Sequence, residues 1–182
     1  WGYRFAAWAL HYIEDLGQPY HSKAVPSAGM GYYLKFAVSG EKEKIKRETT
    51  QLVSNRHYAY EDFVAYGVQQ SYMEKVELFE KLAASLSRGP LYFDRVKDVR
   101  GLIKEVTRAS AAHAPKIDAA IIQAYGPKRT QDPSYDLEKD SDYKIQAVVE
   151  GLSPAVATLI LEETSRDFEV TGRAARTMLK LI

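Results

Sequence analysis

The chain holds only four histidines, His11, His21, His57 and His113. Three of them keep unusual company. The first segment reads His11-Tyr-Ile-Glu-Asp15-Leu-Gly-Gln-Pro19-Tyr-His21. On a helix, His11 and Asp15 are four apart and stack on one face. Gly17 and Pro19 end that helix, and His21 follows just past the turn. A later segment reads Asn55-Arg-His57-Tyr-Ala-Tyr-Glu61, where His57 and Glu61 repeat the spacing of four. Imidazole nitrogen and carboxylate oxygen are the ordinary non-thiolate zinc ligands, with bonds of ~2.0 to 2.2 Å. Two helices that each offer such a pair can face one another, with His21 closing the set. Five ligands are too many for one tetrahedral zinc and suggest more than one ion. Each pair alone also fits a surface ion pair or a hydrogen bond along a helix, and His21 alone fits a turn. Their joint occurrence favours a metal.

Neighbouring residues carry weaker signals. Asn55 lies two before His57 and is a candidate to orient a ligand or a phosphate oxygen. Glu14 lies about 100° around the helix from Asp15 and reads as a solvent or salt-bridge residue. His113 has no acid at matching spacing and reads as a helix-end residue beside Pro115. Tyr12, Tyr20, Tyr58 and Tyr60 flank the two motifs. They fit core and rim packing, or the wall of a pocket for an acyl chain or a stacked base.

Composition narrows the chemistry. There is no cysteine among the 182 residues, which excludes disulfides, thiolate nucleophiles and Cys-ligated zinc. The formal charge is +1, so no whole-molecule field draws the chain to nucleic acid or anionic membrane. No stretch approaches the ~20 apolar residues of a membrane span. The first residues lack the order of a signal peptide.

The elements that must position these side chains are helical. Apolar periodicity predicts a helix from about Trp1 to Leu16, then a loop over 22–40, with a short strand or turn at Tyr32–Val38. A long helical region starts at Glu41, kinks near Gly67 and reaches about Leu86. Asp94 is the expected cap of a helix through Ala112. Pro115 is the expected start of a short helix ending near Tyr125. Residues 126–142 read as a surface loop, and two more helices are expected at Tyr143–Thr164 and Glu169–Leu181. The fold class is all-α, a single domain over 1–182 with six or seven helices.

The run Ala9-Leu-His-Tyr-Ile-Glu-Asp-Leu-Gly-Gln-Pro-Tyr-His21 resembles the zinc-dependent phospholipase C and fungal single-strand-specific nuclease superfamily. Its signature is His-x-x-x-Asp-x-x-x-Pro-x-His followed downstream by His-x-x-x-Glu or His-x-x-x-Asp. His11, Asp15, Pro19 and His21 match the first element, and His57 and Glu61 match the second. The likeness covers about residues 1–66. It implies a multi-helical phospholipase C or nuclease-like domain with up to three zinc ions. It also implies that His21, His57 and Glu61 hold one zinc, that Asp15 bridges two further ions, and that His11 binds one of that pair. The superfamily supplies further ligands upstream of the first element, which have no counterpart here. Trp1 would sit ~15 Å along one helix from His11, too far to share an ion with Asp15. The chain is therefore expected to correspond to the C-terminal part of such a domain, or to a divergent chain that has lost two ion sites, with the apolar periodicity already running at Trp1 favouring the former.

The resemblance implies hydrolysis of phosphodiester bonds by metal-activated water, with phospholipid or single-stranded nucleic acid as substrate. No general base is assigned. It further implies a secreted or cell-envelope location. The alternative is a non-catalytic zinc-binding helical domain, or a helical interaction module in which these residues are structural. Residues 22–56 would be a lid, a specificity loop or a surface excursion.

Overall fold

The computed structural model describes residues 2–23, 34, 38, 40–74 and 81–182. Six α-helices carry the architecture, and no strand occurs among the described residues. Helix α1 spans Gly2–Leu16 and α2 is the single turn Pro19–Ser22. Helix α3 spans Lys42–Gln69 and passes into a π-helical turn, Gln70–Glu74. A 3₁₀ turn at Ala83–Ser87 precedes α4, Val99–Thr130. Helix α5 spans Ile145–Glu150 and α6 spans Pro154–Leu181. The expected strand or turn at 32–38, the end of the long helical region at 75–80, and most of the 22–56 insertion before α3 lie outside the described residues.

Several boundaries differ from the sequence expectation for local reasons. The cap of α4 is Asp98, not Asp94: its Oδ1 accepts from the Gly101 N–H at 2.7 Å. Pro115 lies inside α4 rather than starting a new helix. Buried Val106 and Ser110 before it, and Ala114, Ile117 and Ile121 around and after it, hold one helix across the hydrogen bond that proline cannot donate. The break comes instead at Gly126, whose φ of 75° suits glycine and leaves Pro127 to open one last turn. Helix α6 runs unbroken through 165–168. Its true start is the pair Ser153–Pro154, with Ser153 Oγ accepting from the Val156 N–H. The departure from α geometry near the end of α3 falls at Gln70, not at Gly67.

Packing follows the helical period. One apolar cluster gathers Tyr20 of α2, Ala59, Tyr60 and Phe63 of α3, Ile117 and Ile121 of α4, and Ile160 of α6. A second gathers Ile13 of α1, Leu102 and Val106 of α4, and Ala174 and Met178 of α6. The order of these residues makes α4 and α6 antiparallel. Gly172 lets the 3₁₀ turn press onto α6, because a Cβ there would stand 1.8 Å from the Leu86 carbonyl oxygen.

A buried carboxylate ties the first cluster together. Asp118 of α4 is fully buried. It accepts from the Tyr20 hydroxyl at 2.9 Å and from Arg56 Nη1 at 3.2 Å. Arg56 Nε also donates to the Thr130 carbonyl at 2.9 Å. Replacing Asp118 with Ala takes the acceptor from a buried phenol and one of the partners from a largely buried guanidinium. The expected cost is about 3 to 5 kcal/mol of unfolding free energy, read from urea titration. A loss below about 1 kcal/mol would show that this network is not what joins α2, α3 and α4.

Candidate metal centre

Helix α2 exists because Gln18 caps it. The Gln18 side-chain oxygen accepts from the backbone N–H groups of Tyr20 and His21, and Pro19 takes the first helical position. That one turn points Tyr20 into the core and leaves His21 at the surface above it. On α3, Ala59, Tyr60 and Phe63 take the core, so His57 and Glu61 share the face turned toward α2.

One ligand atom from each of His21, His57 and Glu61 lies within 4.8 Å of the others. His57 Nε2 is 2.9 Å from Glu61 Oε1. The imidazole rings of His21 and His57 meet edge to face with centroids 4.8 Å apart, and Tyr20 stacks on His57 at 6.0 Å. Gln18 Nε2 donates to Glu61 Oε1 at 3.3 Å, so the cap of α2 also steers the carboxylate of α3.

The donor set fits a zinc ion on two counts. His57 Nε2 is buried and lies 2.9 Å from Glu61 Oε1, so these two ligand atoms are already neighbours. His21 Nδ1 lies 3.1 Å from the Asp15 carbonyl oxygen. A carbonyl only accepts, so Nδ1 carries the proton and Nε2 keeps the lone pair that binds metal. Ligands on a tetrahedral zinc stand ~3.4 Å apart, given bonds of ~2.1 Å. The 2.9 Å and 4.8 Å limits bracket that spacing, so rotation of side chains suffices to close the set. Three protein ligands leave a fourth position open.

The other candidate residues fall in different places. Asp15 lies beside the triad, its Oδ1 3.6 Å from His21 Nδ1. His11 is exposed on α1 with its ring tilted against Tyr12, and is not gathered with the triad. Asn55 is buried and its amide is engaged within the fold. It donates to the Tyr135 carbonyl at 2.8 Å and accepts from the Leu137 N–H at 3.1 Å. These bonds pin residues 135–137 to α3.

A cleft of about 530 Å³ opens next to the triad and shares Glu61 with it, with Gln18 also in its lining. Tyr60, Val64, Ala65, Leu86 and Phe168 form its apolar wall, and Asp167 of α6 lines it as well. His113 meets this aspartate from α4, with Nδ1 2.7 Å from Oδ1. This pair was not legible in the sequence, where His113 read as a helix end. The available signal was the spacing of Glu163, Thr164 and Asp167, polar residues that recur on the same face as apolar Ile160 and Ala174.

Compared with protein-family models, with curated proteins and with solved structures, the chain matches none.

The His113–Asp167 pair makes stability depend on pH. Burial pushes the Asp167 carboxyl from its ordinary 3.8 up to about 7, with His113 pulling it partly back and Glu163 adding to the rise. The hydrogen bond to Asp167 raises His113, against its own desolvation, while Arg166 opposes the rise. Tyr60 faces the same carboxylate from α3. Both members of the pair hold their protons more tightly folded than unfolded. Their contribution is therefore full below about pH 4 for Asp167 and below about pH 6.5 for His113, and each is lost as pH rises through the raised value. The melting temperature should fall between pH 5.5 and 8.5, and most of that slope should vanish in Asp167→Asn. A melting temperature that rises across this window, or an unchanged slope in the variant, would refute the assignment.

Proposed function

We propose that the chain is a zinc-binding helical domain whose ion sits on His21, His57 and Glu61. The observation that carries this reading is the gathering of His21, His57 and Glu61, one ligand atom of each lying within 4.8 Å of the others. Purified protein reconstituted at neutral pH should hold about one zinc, as expected for one three-ligand set. His57→Ala should abolish it. Binding should weaken on acidification, since imidazole ligates only when neutral. Less than about a tenth of an equivalent by metal analysis would reject the site.

A hydrolytic role is a second reading, and two observations favour it. The cleft shares Glu61 with the triad, and the Asp15 carboxylate stands beside His21. A structural zinc needs neither. In this reading the substrate is a phosphodiester, as a phospholipid or single-stranded nucleic acid. Bound zinc would supply Lewis acidity toward phosphate and a water of lowered pKa. The chain's own residues would hold the ion and orient Glu61 through Gln18.

The described residues gather one three-ligand set and leave His11 outside it. Asp15 and His11 alone would give a second ion two protein ligands, below the three usual at catalytic zinc. The chain by itself, in excess zinc, is expected to turn over a chromogenic phosphodiester, a choline phospholipid and single-stranded DNA only at trace rates. Robust turnover on any of them, lost in Asp15→Asn, would show that the residues at hand suffice for catalysis.

A further inference from the structure

The cleft beside the triad has a chemical bias of its own. Three carboxylates border it: Glu14 from α1, Glu61 from α3 and Asp167 from α6. No described lining residue is cationic. Lys116 of α4 and Arg166 of α6 are held by Glu163 at 3.1 and 2.7 Å, Arg176 of α6 donates to the Leu86 carbonyl at 2.7 Å, and His113 of α4 is paired with Asp167. An anionic ligand would enter against this field, and a cationic one with it.

Asp167 adds a directional demand. Its side chain is 3% exposed. Oδ1 is taken by His113, while Oδ2 is buried and has no partner. A buried carboxylate oxygen without a donor is costly, and an N–H from a ligand relieves it. A metal is not the natural occupant here. Among the described residues, His21, His57 and Glu61 form the one group of three metal-competent side chains, and Asp167 is not in it. The rest of the wall, Tyr60, Val64, Ala65, Leu86 and Phe168, offers hydrocarbon and ring faces. The volume is that of a small-molecule pocket.

We propose that this cleft binds a ligand bearing a protonated primary amine on an apolar stem, with Asp167 accepting the ammonium N–H and the Tyr60–Phe168 wall covering the stem. The proposal does not require the metal, because Asp167 is not a zinc ligand, although the cleft shares Glu61 with the triad. A quaternary ammonium carries the same charge but no N–H. It satisfies the field and leaves Oδ2 unpaired.

The test is calorimetric titration of the chain at pH 8 in the presence of a chelator, so that zinc plays no part. The probes are n-hexylammonium, N,N,N-trimethylhexylammonium and hexan-1-ol. Hexylammonium should bind saturably at one site, and the other two about tenfold or more weakly, the loss expected for a missing charged hydrogen bond. Asp167→Asn should weaken hexylammonium about tenfold and leave hexan-1-ol unchanged. Ala65→Phe places a ring in the cleft from an exposed helical position, so it should abolish binding without loss of helix by circular dichroism. That variant decides the matter if Asp167→Asn fails to fold. Equal binding of the three probes, no saturable binding, or wild-type affinity in a folded Ala65→Phe would overturn the proposal.

Discussion

The arrangement depends on one buried carboxylate. Asp118 takes a phenol from α2 and a guanidinium from α3, and both donors are sequence neighbours of candidate metal ligands. Tyr20 precedes His21, and Arg56 precedes His57. Whatever fixes Tyr20 and Arg56 relative to each other fixes the two imidazoles as well. The same burial that makes the network costly to break pushes the Tyr20 hydroxyl far above its ordinary titration range, so it stays a donor at any pH where the protein is folded. The candidate metal cluster is therefore held from beneath by this network, while the side chains of His21, His57 and Glu61 stay partly exposed.

A second polar layer separates the two apolar clusters. Along α4 the order is Leu102 and Val106, then Ser110 and His113, then Ile117 and Ile121. Along α6 the matching order runs backward: Met178 and Ala174, then Asp167, Thr164 and Glu163, then Ile160 and Val156. Ser110 donates to the Gly17 carbonyl at 2.9 Å, which anchors the end of α1 to this layer. Polar pairs in register between apolar bands penalise sliding of α4 along α6, because a shift of one turn would bury each carboxylate against hydrocarbon. The layer also supplies the inner wall of the cleft, so the helix register and the shape of the cavity are set by the same contacts.

Local signals in the sequence were legible where the physics is local. The His11–Asp15 and His57–Glu61 spacings follow from the helical period, and both pairs do lie on helices. Gly17 and Pro19 signal the end of the first helix and a turn, yet Gln18 makes that turn one more turn of helix by capping it. The break near Tyr125 was visible because Gly126 and Pro127 are strong local terminators. Pro115 misled for the opposite reason: contacts with distant helices outweigh the lost hydrogen bond, and nothing within a few residues announces them. Asp118 with Tyr20, and His113 with Asp167, join positions far apart in the chain. Such pairs become visible only when two helices are already laid side by side. Asn55 shows the same limit, since its partners lie in the 135–137 segment.

The grouping of His21 with His57 and Glu61 also has a topological consequence. The two sides of the site are joined by residues 22–56, while Asp118 clamps both ends from below. The entropy of closing such a connection grows only with the logarithm of its length, about 0.6 kcal/mol for each doubling. The spacing between the two halves of the motif is thus nearly free to drift over evolutionary time, provided Tyr20 and Arg56 keep their grip. A search for kindred chains that demands a fixed interval between the histidines would impose a condition that the fold does not. One that asks for a Tyr-His turn, an Arg-His helix and a later buried aspartate would follow the constraint that the fold imposes.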